Sequence, residues 1–292
     1  SESPAECVDH DSKTNITINP TAYMDDTIWA AKNKEELTKI IKTTNHYYNF
    51  MKIRANWEKS DLMLLNSNNK SKIQMENITI TPLEPNDTIR YLEVYFNGKG
   101  SSSPNKEKIL NKMKLFHDTI IRKRINHIQA ADIFQVVIRP HIEYLLQTIT
   151  LDSLLTKTFN TLIKKIIKIK ARVNNKTQNL TFNNIINKYI SEIQEIYIIA
   201  NSNLLRRLRK INNKTLNKTI QICLKDWKHQ AWFHSINQNE YSKFIKETKN
   251  NWIAHNLVTL DTYNIKLNKE IFLLEESLIS QISGAYSLQQ NI

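Results

Sequence analysis

Two adjacent aspartates, Asp25 and Asp26, stand in the string Thr21-Ala22-Tyr23-Met24-Asp25-Asp26-Thr27-Ile28-Trp29. Apolar positions alternate with polar ones before the acids, over residues 15–23, and a second short apolar run, residues 27–31, follows them. That pattern predicts a strand, a tight acidic turn and a returning strand. Carboxylates held at such a tip are hard oxygen ligands of the kind that take Mg²⁺, which keeps several waters and accepts one or two carboxylates plus substrate phosphates. A further acid from a neighbouring strand would allow two ions about 4 Å apart, an arrangement suited to phosphoryl transfer. Taken alone, the dipeptide is more simply a polar turn than a metal site.

The elements around the acids add to the picture. Asn33, with Glu36 three residues on, predicts a capped helix whose apolar stripe runs through Leu37, Ile40, Ile41, Thr44, Tyr48 and Met51. Residues 53–55, 61–65, 78–81 and 89–96 have the composition of short strands, with Pro82 and Pro85 confining a turn. Gly98, Gly100 and three serines mark a boundary, because the chain has only three glycines in all.

Beyond that boundary the pattern is helical. Pro104 opens a helix to about Arg124, with Ile109, Met113, Phe116 and Ile120 on one face. A second helix carries Ile133, Phe134, Val137 and Ile138 until Pro140 kinks or breaks it, followed by residues 142–149. A third runs from Asp152 as cap to about Arg172. It buries Leu155, Phe159, Leu162, Ile163, Ile166 and Ile167 and shows Lys164, Lys165, Lys168 and Lys170 on its other face. Residues 182–292 continue as helices separated by Asn-rich turns near Asn201, Asn212 and Asn250. Trp227, Trp232, Phe233 and Trp252 could stack on bases, although large aromatics are more usually core. The fold class is therefore α+β: a small antiparallel sheet with a helix in residues 1–100, a mainly helical region 101–175, and a helical extension 176–292.

Ala-Tyr-Met-Asp-Asp-Thr, an apolar strand, a helix, and then Asn56-Trp57-Glu58-Lys59-Ser60 follow one another in the order found in a known family. The string resembles the palm of reverse transcriptases, and most closely that of LINE-type retrotransposons without long terminal repeats. Arg90-Tyr91-Leu92-Glu93-Val94 is similar to the family's Tyr-Leu-Gly segment, with Glu93 in place of the glycine. Residues 123–129 and 137–144, with their Pro-x-x-Glu-Tyr element, resemble the helical thumb that follows the palm.

The resemblance implies RNA-directed DNA polymerase chemistry, with Mg²⁺ or Mn²⁺ as cofactor and Asp25 and Asp26 as its ligands. It places Lys59 near the incoming nucleotide, and Tyr23, Met24, Asn56, Tyr91 and Leu92 in the primer and nucleotide vicinity. An RNA template and a DNA primer-template duplex are the implied partners. In the family, fingers and a strand bearing a further metal-binding aspartate precede this motif. Only 24 residues precede Asp25, and Asp9 and Asp11 lack the apolar strand that first motif needs. The expectation is the rear part of a polymerase core, without its upstream half and inactive in extension by itself.

Charge distribution supports a polyanionic partner independently. The 292 residues carry 41 Lys and Arg against 28 Asp and Glu, a formal net charge of +13. Ile, Asn and Lys, whose codons are AT-rich, number 41, 35 and 32, so codon drift accounts for part of the basic character. Drift acts along the whole chain, however, whereas the surplus does not. Residues 1–100 have 12 basic and 14 acidic side chains, residues 101–230 have 24 and 8, and residues 231–292 have 5 and 6. A net +16 confined to the middle predicts contact with nucleic-acid phosphates through Arg122, Lys123, Arg124, Lys164, Lys165, Lys168 and Lys170. A helical interaction protein with Lys-rich solvent faces, or a retroelement relic, is the competing reading.

Other chemistry is excluded by spacing. Cys7 and Cys223 stand alone, which rules out a disulfide scaffold or a cysteine zinc module and points to a reducing, intracellular compartment, nucleus and cytoplasm alike. His46, His117, His127 and His229 form no metal-ligand pattern. No apolar stretch approaches the length of a membrane span, so no membrane partner is expected.

Overall fold

The computed structural model describes residues 5–9, 14–18, 21–23, 25–65, 71–75, 78–174, 190–211, 213–225, 241–248, 251–263 and 265. Helices and antiparallel hairpins both occur, in an α+β arrangement. Two compact units divide between Ser101 and Ser102; Asn213–Ile222 belongs with the first and the chain from Cys223 with the second.

Among the described residues the first unit holds eight short strands. They are β1 (Ala5–Asp9), β2 (Thr14–Ile18), β3 (Thr21–Tyr23), β4 (Asp26–Ile28), β5 (Ile73–Met75), β6 (Ile78–Ile80), β7 (Thr88–Tyr91) and β8 (Val94–Asn97), so Asp9, expected to lack a strand, is the last residue of one. They pair in sequence as four separate two-stranded hairpins rather than the single small sheet expected. Strands of three to five residues offer few ladder positions to a further neighbour. Residues 53–55 and 61–65 are not strands apart from an isolated bridge between Leu62 and Pro82. Ile53 and Leu65 there are exposed, so their apolar character has no sheet face to bury. Residues 89–96 form not one strand but both arms of β7–β8, because Leu92 and Glu93 turn the chain with φ of 49° and 65°. A two-residue loop with both centres left-handed matches strand twist.

Helix α1 (Lys34–Phe50) begins where Asn33 caps it, the Asn33 side chain accepting from the Glu36 amide at 2.9 Å. The Glu36 carboxylate accepts from the Lys32 amide, one residue earlier than a capping box requires. Its inner face joins Trp57, Ile73, Met75 and Ile80 in a small core around Ile41, with Trp29 packed against it. Beyond β8 the chain passes so close to the 62–65 segment that a Cβ on Gly98 would sit 2.9 Å from the Leu64 carbonyl oxygen. Only glycine fits there without displacing backbone.

The second unit is helical. Helix α2 (Ser103–Arg122) buries Ile109, Met113, Phe116 and Ile120. Helix α3 (His127–Ile133) starts from a complete capping box between Asn126 and Gln129. It runs through one π-helical turn, Phe134–Ile138, into α4 (Arg139–Leu146). The expected break at Pro140 is thus a bulge: the Arg139 amide donates to the Phe134 carbonyl five residues back. A proline's missing amide and its ring clash with the carbonyl four residues earlier, and the wider turn makes room for both. Helix α5 (Ser153–Lys170) starts at Asp152, whose side chain accepts from the Leu155 amide at 2.8 Å. Burial pushes the Asp152 carboxyl up, but that amide and the Lys106 ammonium at 2.6 Å outweigh it and hold the pKa below the usual carboxylate range.

Helix α6 (Ile193–Lys210), α7 (Lys214–Lys225), α8 (Tyr241–Glu247) and α9 (Trp252–Thr262) complete the described chain. Asn201, expected at a turn, lies inside α6 and is wholly buried. Its amide donates to the Leu146 carbonyl at 3.2 Å, satisfying an acceptor at the end of α4. Residues 253–260 of α9 are buried without interruption. His255 among them has its imidazole pKa lowered chiefly by that burial. Among the described residues no helix is long and apolar enough to cross a membrane.

Candidate metal hairpin and nucleic-acid interface

β3 and β4 pair in the register Thr21 with Ile28, Ala22 with Thr27 and Tyr23 with Asp26. The pairing leaves residues 24 and 25 as the connection, so an acidic turn and a returning strand form as expected, but the strand expected over residues 15–23 does not: β2 pairs back to β1, and only β3 enters this hairpin. Met24 lies outside the described residues. Asp25, Asp26 and Tyr23 are all exposed, so both carboxylates meet solvent from a closed hairpin. Two solvated carboxylates fit a hard divalent cation that retains most of its water. Among the described residues no group of three or more His, Cys, Asp or Glu side chains converges as a metal site.

Trp29, three residues after Asp26, ties the acidic hairpin to the rest of the unit. Its ring lies 6.1 Å from that of buried Trp57. Trp57 opens a single 3₁₀ turn, Trp57–Lys59, closed by the Lys59 amide on the Asn56 carbonyl and the Ser60 amide on the Trp57 carbonyl. Asn56 and Lys59 flank the anchor and are exposed, so their polar groups are free to face a ligand while the indole holds the backbone. Tyr91 and Leu92 are half-buried on β7 and its turn. The Tyr91 hydroxyl is shut off from solvent with no hydrogen-bond partner among the described residues. Arg90 and Glu93 form an ion pair at 3.1 Å across that turn.

Titration with Mn²⁺ is expected to broaden the amide resonances around Asp25 and Asp26 with millimolar affinity, as suits two carboxylates and water. Broadening centred elsewhere would move the cation away from the hairpin.

The basic residues of the second unit separate into two sets. Arg122, Lys123 and Arg124 are exposed together at the end of α2 and in its connection to α3. On α5 the expected solvent face of four lysines is not what forms. Lys165 is exposed, but Lys168 is only 7% accessible. Lys164 pairs with Glu192 at 3.0 Å, and Lys170 donates to the main-chain carbonyls of Ile121 and Lys123. The reason is that α5 packs against α2, α3 and α6, so flanks off its apolar stripe are covered too. Arg172, not anticipated as part of the basic surface, is exposed just past α5 with φ of 56°; its position two residues after Lys170 was the available signal. Trp227, Trp232 and Phe233 lie outside the described residues, and Trp252 is half-buried at the start of α9.

No protein-family model, curated protein or solved structure matches the chain.

Proposed function

We propose that the chain binds duplex nucleic acid through its phosphates, as the palm-and-thumb part of a reverse-transcriptase-like protein. Template-directed nucleotidyl transfer then belongs to the complete polymerase, and residues 1–100 and 101–175 take the palm and thumb roles. The carrying observation is the exposed run Arg122-Lys123-Arg124 in a region of net +16. Backbone phosphates attract such a cluster without reading sequence. The exposed Asp25–Asp26 pair, anchored through Trp29 and Trp57, adds to the reading; it would hold Mg²⁺, which neutralises phosphate charge when bound.

A labelled primer-template duplex mixed with the 292-residue chain tests this. Binding is expected with little sequence preference. If roughly four to six phosphates are neutralised, log affinity falls against log salt with a slope of about -3.6 to -5.4. No primer extension is expected, because two carboxylates supply only part of a two-metal site. Binding undetectable at low salt would turn the reading to a helical interaction protein. Mg²⁺-dependent incorporation abolished by Asp25→Ala would show that the chain is a polymerase by itself.

A further inference from the structure

Lys170 sits in the last turn of α5, yet its ammonium ends on α2. It donates to the Ile121 carbonyl at 3.1 Å and to the Lys123 carbonyl. The C-terminal ends of α2 and α5 therefore meet. A helix's last carbonyls lack intrahelical donors, and Lys170 supplies two of them. The same short connection is held from its other side: Ile125 packs on the core of the unit, and Asn126 is locked into the capping box that starts α3. Residues 122–124, the last residue of α2 and the two that follow it, are thus fixed at both ends, and their side chains are all exposed.

Neutralising two helix ends would by itself explain some positive charge there. Each C-terminus carries about half a negative charge. Against that total of about one stand Arg122, Lys123, Arg124, Lys170 and Arg172, five cations. Residues 119–131 and 153–174 contain no acid, and Asp118, one helical turn before Arg122 on α2, offsets at most one of the five. The surplus is several charges, far more than the helix ends require.

We propose that Lys170 is a positioning residue of this interface: it fixes the backbone of residues 122–124 so that their cations meet successive phosphates as a preset array, and does not itself contact phosphate. The proposal rests on the duplex-binding reading. Two of the three ammonium donors are already used on carbonyls, and a group so engaged contributes by ordering the turn.

The salt slope separates position from contact. Fluorescence anisotropy with a random-sequence DNA duplex, from 50 to 200 mM salt, is the measurement. Arg122→Gln and Arg124→Gln, each removing a phosphate contact, are expected to reduce the slope by about 0.9. Lys170→Met is expected to weaken binding roughly three- to tenfold at every salt concentration with the slope unchanged, since ordering entropy and not an ion contact is lost. Lys170→Gln, whose amide can still donate to one carbonyl, is expected to retain more affinity than the Met variant at the same slope. A slope reduced by about 0.9 in either Lys170 variant makes Lys170 a phosphate contact and overturns the positioning role, with duplex binding intact. Wild-type affinity in both variants overturns it equally. If Lys170→Met does not fold, the slope of Lys170→Gln alone decides. Absence of binding by the wild-type chain removes the duplex reading and the positioning role together.

Discussion

Changing Arg122, Lys123 and Arg124 together to glutamine is expected to weaken duplex binding several hundredfold at 0.1 M salt. Each phosphate contact contributes about 0.9 to the salt slope, so three contribute about 2.7, which at tenth-molar salt corresponds to roughly 500-fold in affinity. The loss should shrink as salt rises and be similar for unrelated sequences, because phosphates carry no base information. All three side chains are exposed, so stability should move by no more than about 0.5 kcal/mol. Anisotropy across a salt series, with a thermal melt as control, checks both statements. A loss below tenfold with an unchanged slope would take these residues out of the interface. A neutralisation of the α5 lysines is a poorer test than the sequence suggests. Lys168 is buried and Lys164 is paired with Glu192, so that variant would confound binding with folding.

That contrast shows where the sequence was readable. Helices α2 and α5 follow from their apolar spacing, and Asn33 and Asp152 cap helices where the composition places them. The acidic hairpin was legible because two aspartates between β-prone runs leave few other conformations. Lys168 was not legible: one apolar stripe tells of one neighbour, whereas α5 has three. Asn201 looked like a turn residue by type, but its buried amide serves a carbonyl on another helix, a pairing no local pattern encodes. Within the candidate site, the exposure of Asp25 and Asp26 could be anticipated; their anchorage through the Trp29–Trp57 contact could not, since it joins residues 28 positions apart. The strands expected at 53–55 and 61–65 fail because β propensity needs a face to bury, and Ile53 and Leu65 find none.

Phe134→Ala is expected to cost about 3–5 kcal/mol, the usual range for removing a fully buried aromatic. That is a large share of a stability that seldom exceeds about 15 kcal/mol. Phe134 has no solvent exposure and opens the π turn, where its ring lies 6.0 Å from Phe116 and 6.3 Å from Phe159. It therefore joins α2, the α3–α4 bulge and α5 through one side chain. Truncation would remove ring contacts to two helices at once and leave a cavity. Its neighbours could close that cavity only by shifting a turn already displaced by Pro140. Phe134→Leu, which keeps most of the volume, should cost well under half as much. Urea unfolding of the three chains measures the difference through the midpoint at constant slope. An alanine cost below about 1 kcal/mol would mean that the bulge relaxes into the space, and that the helix turn binding Arg139 to the Phe134 carbonyl is softer than its burial implies.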